Sequence, residues 1–248
     1  MTDAMTWISQ ATKLIDCAGG IEFRSNAVSS RSSNKAASAG DRTGGDNLYR
    51  ELFIVEGDSA SQAVANARDV RYQAVLPMQG KPMNAVKASP KAVRRNQWFA
   101  AFVEALGTTW DPALRETFRY SRLLLLFDPD ADGIHCGALM LMFLERYFPE
   151  LLTSRRVSLI KAPLFRIEGD DPRDCLFAYS EDQLQQLRSA LEEKSIPHRY
   201  QRYRGLASLP SDVLTEHCLD PNGRTAYLMG IDDAAMARKV FCQSKKSH

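Results

Sequence analysis

Two short apolar runs in this chain each end on carboxylates, and that pairing constrains the fold more than any other feature. SRLLLLF (121–127) is a continuous apolar run that suits a strand covered on both faces, and it leads directly into Asp128-Pro129-Asp130-Ala131-Asp132-Gly133. ELFIV (51–55) is a second such strand. It leads into Glu56-Gly57-Asp58-Ser59, ahead of a helix expected from Ser59 to Arg68 and a further strand at QAVLP, 73–77. Downstream the spacing predicts one helix over 91–106, another over 134–152 that Pro149 bends or ends, and a strand around 157–163. A further helix opens at Ser180, with Gln183 three residues on as a capping box. Strands alternating with helices predict an α/β fold, a parallel doubly wound sheet flanked by helices, and residues 198–242 read as a mostly helical tail.

Residues 24–48 are rich in Ser, Ala, Gly, Asn and Arg with almost no large apolar side chain, so burial cannot offset the entropy of ordering them, and a flexible linker is expected. The expected organisation is a short entry segment at 1–23, the linker at 24–48, the α/β domain at 49–170 and a tail subdomain at 171–248. With 44% hydrophobic residues the chain can build one ordinary core and a small second lobe. Five widely spread cysteines with no C-x-x-C pair argue against a disulfide framework and a structural zinc site, and point to a reducing, cytoplasmic setting. No apolar run has the roughly 18 residues of a membrane helix, so no membrane partner is expected.

In an open α/β sheet, ligands bind outside the carboxyl ends of strands, which is where Glu56 and the aspartates stand. A turn in which Asp58 or Ser59 caps the next helix accounts for those two residues but leaves Glu56 unexplained. Three aspartates on alternate positions with no base among them repel one another unless a divalent cation lies between them. An EF-hand loop also begins D-x-D-x-D-G, but it requires a Glu at its twelfth position, where this chain has Leu139, and a preceding helix rather than a strand. A solvated acidic turn is the remaining alternative. Oxygen donors, with neither His nor Cys expected nearby, favour Mg²⁺. The net charge of +2 says little about nucleic acid, but between Arg68 and Arg95 there are seven basic residues against one acid, Asp69. Phosphates are the natural counter-charge, with a solvated helical face as the alternative for Lys91, Arg94 and Arg95.

The pairing of E-G-D-S with D-x-D-x-D-G resembles the TOPRIM fold. The stretches EGDSASQAV, QAVLPMQGKPMNAVKA, RYSRLLLLFDPDADGIHCGALMLMFLERYFPELL, KAPLFRI and RYRGLASLPSDVLTEHCLDPNGR are similar to the type IIA topoisomerases, in their bacterial B-subunit form. KLIDCAGG, near the start, resembles the family's entry into that domain. The resemblance implies that Glu56, Asp128 and Asp130 hold Mg²⁺ while Asp132 tunes the field, that Glu56 also serves as general acid to the leaving 3′ oxygen, and that Lys81 and Asn84 contact DNA. It implies as partners DNA and a gyrase A-like subunit carrying the catalytic tyrosine; Tyr200 and Tyr203 then read as packing residues. The family's ATPase half is not in this sequence, so ATP is expected to act only through a separate ATPase domain or chain. Several family positions differ, among them residues 61–65, Gln79 and Gly137, which implies fewer phosphate contacts. Two other functions stay open: a non-catalytic DNA-binding or regulatory paralogue docking on an A-type subunit, and a TOPRIM metal-dependent nuclease.

Overall fold

The computed structural model describes residues 13–19, 21–22, 48–115, 117–170 and 175–242. Its strands are β1 (Ile21–Glu22), β2 (Leu48–Tyr49), β3 (Glu51–Glu56), β4 (Gln73–Met78), β5 (Arg122–Leu126), β6 (Val157–Lys161), β7 (Phe165–Glu168), β8 (Cys175–Ala178), β9 (Arg199–Arg202) and β10 (Thr225–Met229). The helices are α1 (Gly57–Ala67), α2 (Pro90–Arg95), α3 (Gln97–Ala105), α4 (Ala131–Tyr147), α5 (Pro149–Thr153), α6 (Glu181–Glu193), α7 (Ser211–Leu214) and α8 (Ile231–Cys242).

The main sheet has the order β10-β6-β5-β3-β4. Its inner ladder β6-β5-β3-β4 is parallel, as the alternation of strands and helices predicts, and β10 adds an antiparallel edge. Both faces are covered, so the runs in β3, β4 and β5 are apolar on both sides. One face packs Leu52, Ile54, Leu123 and Leu125 against α3 and α4, where Phe99 and Phe143 stack at 4.1 Å between ring centres. The other packs Phe53, Val55, Leu124 and Leu126 against α1 and the 203–219 segment. Residues 13–19 join the β4 side through a bridge between Ile15 and Val75. A second, antiparallel sheet β8-β7-β9 packs on α6.

The expected helix over 91–106 is two helices. Asn96 takes an extended conformation (φ −66°, ψ 123°) and its side chain accepts from Phe99 N, so it ends α2 and caps α3. The helix expected from Ile134 starts at Ala131 instead, because Asp130 caps it by accepting from Gly133 N at 2.8 Å. Phe148 (φ −140°) separates α4 from α5, with Pro149 opening the latter. Ser180 caps α6, while Gln183 accepts from Tyr179 N, one residue before the cap. The tail holds α7 and α8 but also two strands that its pattern did not reveal, β9 and β10. The linker 24–48 lies outside the described residues except for Leu48.

Candidate metal centre

β3 and β5 are neighbours in parallel register, Val55 opposite Leu126, so the chain leaves both strands at the same edge of the sheet. Adjacent strands lie about 4.8 Å apart. Glu56, the last residue of β3, and Asp128, two residues beyond β5, therefore emerge side by side. The chain turns from β3 into α1 at Gly57, whose φ of +74° favours glycine. Glu56 is the cap residue of α1 by position, yet its carboxylate makes no capping bond. Asp58 and Ser59 lie inside the first turn, and Asp58 is held by Lys13 at 2.8 Å. The helix-capping alternative therefore does not apply to these residues.

The three aspartates are used differently. Asp128 is half-buried, and its Oδ1 accepts from Leu206 N at 2.8 Å. Asp130 is exposed and caps α4. Asp132 is exposed and paired with Lys81 Nζ at 2.7 Å, the one cation bonded to the acidic loop among the described residues. Burial, then the charges of Asp128, Asp130 and Asp132, push the Glu56 carboxyl above its usual range. Burial, opposed by the Leu206 N–H and aided by Asp130, raises Asp128. Two oxygen-donor side chains thus crowd one corner at a cost in electrostatic repulsion that a hard divalent cation would remove.

Among the described residues no three His, Cys, Asp or Glu side chains stand close enough to enclose an ion alone. That donor set fits Mg²⁺, which is commonly bound by one or two carboxylates and completed by water and substrate phosphate.

Two participants are missing from the sequence reading. Cys136 is fully buried on α4 beside Glu56, correcting the expectation that no cysteine stands nearby. Burial, then the Glu56 charge, pushes this thiol up to about 12, so it stays protonated and adds no charge to the corner. The second participant is the 204–208 turn. Ser208 Oγ accepts from the Arg204 and Gly205 N–H groups and donates to Gly205 O, which fixes the turn against Asp128. A Cβ on Gly205 would stand 2.7 Å from Asp128 Oδ2, so only glycine fits there without displacing the carboxylate.

Lys81 reaches the acidic loop; Asn84 does not. The Asn84 Oδ1 accepts from Val86 N and Lys87 N, and its Nδ2 faces Cys242 Sγ at 3.8 Å. Of the other basic residues in 68–95, Arg68 is bound to Gln73 O and Asp16 O, and Arg71 to Asp69. Lys87, Lys91, Arg94 and Arg95 are exposed. Tyr203 is buried, as a packing residue would be, whereas Tyr200 is exposed and only lies edge-on to Phe165. No helix among the described residues is long and apolar enough to cross a membrane.

The Toprim domain family model matches residues 51–161, from the first residue of β3 to the last of β6. This chain carries a Toprim domain of the gyrase B kind. It is 34% identical over 197 residues to the DNA gyrase B subunit of Halalkalibacterium halodurans, covering 79% of this chain and 30% of that protein. It is 35% identical over 192 residues to the DNA gyrase B subunit of Thermotoga maritima, covering 77% and 30%. For the corresponding gyrase protein of Metamycoplasma hominis the values are 36% over 193 residues, 77% and 29%. The chain thus spans about 30% of the length of these relatives, and the match extends past the Toprim domain into the tail.

Proposed function

We propose that the chain is the TOPRIM component of a type IIA topoisomerase, which binds Mg²⁺ and DNA and supports double-strand cleavage and religation by the tyrosine of a gyrase A-like partner. The supporting observation is the convergence of Glu56 and Asp128 at adjacent strand ends, with neither carboxylate paired to a cation among the described residues. Glu56 and Asp128 would share one ion and Asp128 and Asp130 would hold a second, and such ions when bound would offset negative charge developing on the phosphodiester. Glu56, its carboxyl raised by its surroundings, is suited to deliver a proton to the leaving 3′ oxygen. Lys81 stands at the rim, where a DNA phosphate can replace Asp132 as its partner. Asn84 would contact DNA through a turn it already stabilises. ATP enters this scheme through an ATPase domain outside these residues.

The test mixes the chain with a cognate A-type subunit, supercoiled DNA and Mg²⁺, and traps the reaction with denaturant. Protein-linked double-strand breaks are expected. If none form while the same A subunit cleaves beside a full-length gyrase B protein, the chain is a non-catalytic paralogue; breaks without linked protein and without A subunit identify a nuclease.

The Asp128 strap gives a second expectation. Gly205 has an extended backbone (φ 165°) that alanine can adopt, so Gly205→Ala should fold. Its methyl group displaces Asp128, and Mg²⁺ affinity measured by calorimetry should fall about 10- to 100-fold, as is usual when a ligand's supporting contact is lost. Unchanged affinity would remove the 204–208 turn from the site.

A further inference from the structure

Around the starts of β5 and β6 the surface holds a second concavity, of about 530 Å³, whose lining differs sharply in charge from the carboxylate corner. Arg122, Arg155, Arg156 and Arg224 line it together with Asn222 and Ser154, and no carboxylate is among the lining residues. Their commitments are unequal. Arg224 is neutralised by buried Glu51. Arg156 donates to the carbonyls of Ser121 and Tyr120, which orients its guanidinium but leaves its charge uncompensated. Arg122 and Arg155 are exposed, and neither side chain has a hydrogen-bond or carboxylate partner among the described residues. Three positive charges therefore surround one concave surface without a counter-charge among its described lining residues. Concave walls focus such a field and raise the local concentration of anions.

The backbone adds an independent observation. Arg155 has φ 54°, a left-handed conformation that a side-chain-bearing residue seldom adopts. It is held there by the turn that closes α5, Arg155 N donating to Leu152 O and Arg156 N to Leu151 O. The turn sets Arg155 and Arg156 side by side at the mouth of the cavity, facing Arg122 across the β5–β6 ladder. Guanidinium groups so grouped match tetrahedral oxyanions, which accept paired N–H bonds.

We propose that this cavity is a phosphate-binding site, separate from the carboxylate corner. Arg122 precedes Asp128 by six residues along β5, about 20 Å at strand rise, so one phosphate cannot serve both. The shared chemistry is a phosphate group; its source is a free phosphate compound or the phosphodiester backbone of DNA.

The experiment uses the full chain in EDTA, which removes any contribution from divalent cations. Inorganic phosphate is titrated while the arginine Nε–H resonances are followed, on wild type, Arg122→Gln and Arg155→Gly. Arg155→Gly relieves the left-handed backbone, so it should melt no lower than wild type. Phosphate should shift the Arg122 and Arg155 resonances, and each substitution should weaken binding about 10-fold, the order expected of a charge-assisted hydrogen bond. In a second arm, binding of a 20-base-pair duplex is measured against salt concentration. A slope reduced by about two when Arg122→Gln and Arg155→Gly are combined identifies DNA backbone as the source, and an unchanged slope with phosphate binding lost identifies a free phosphate compound. If phosphate leaves both resonances unmoved, or binds the variants as it binds wild type, the proposal is overturned.

Discussion

Glu56→Gln should leave the chain folded and lower partner-assisted DNA cleavage by about 10²- to 10⁴-fold, the usual contribution of a positioned general acid or base. Glutamine preserves the shape of the side chain and can still pack beside the Cys136 thiol. It removes both the charge that would hold the cation and the proton that would reach the leaving oxygen. Because the environment already raises the Glu56 carboxyl through burial and three neighbouring aspartates, the neutral amide should not destabilise the fold, and removal of the repulsion should help it. Two measurements bear on this: trapped cleavage product with the A-type partner, and the melting temperature without it. Cleavage at the wild-type level would end the assignment of Glu56 as the acid, while a large drop in melting temperature would reduce the result to a folding defect.

The largest effect on stability is expected far from that corner, at Glu51 and Arg224. Glu51 is fully buried at the start of β3 and Arg224 is 6% exposed just before β10, so their ion pair joins two strands separated in the sheet by β5 and β6. Tyr49 Oη and Gln73 Nε2 also donate to Glu51, and Arg224 additionally donates to Leu219 O. Arg224→Met leaves a buried carboxylate without its cation, which costs about 3–5 kcal/mol, a melting shift on the order of 10 °C at this chain length. Adding Glu51→Leu should return much of that loss, since two apolar groups can replace a buried pair at little net cost. A single variant that melts within about 1 °C of wild type would show that water reaches the pair.

The inner sheet was legible because its strands are covered on both faces: the three apolar runs of β3, β4 and β5 can scarcely be anything else in a chain that alternates them with helical spacing. β9 and β10 lacked that signal. Their faces are largely exposed, RYQR carries two arginines, and TAYLM is too short for alternation to show. The single helix expected over 91–106 failed at Asn96, whose side chain can serve as a helix interior residue or as a cap; only the packing of Trp98 and Phe99 against the sheet decides which. At the site, Glu56 and Asp128 could be paired from sequence because two strand ends limit where they can lie. Cys136 could have been placed too: with α4 starting at Ala131 rather than later, it falls one turn and a half into the helix and faces inward. The Gly205–Leu206 contact carried no local signal, since nothing in a peptide spells out which distant carboxylate its N–H will meet.

That last contact bears on when the protein matures. The donor to Asp128 lies 78 residues downstream of it, so at ordinary rates of synthesis the acidic loop leaves the ribosome about 4–16 s before its strap. During that interval the strand, the loop and α4 can all be in place while the half-buried aspartate still lacks its backbone donor. This nascent domain would therefore acquire its finished carboxylate geometry only once the 204–208 turn has emerged, after the inner strands of the sheet have been made.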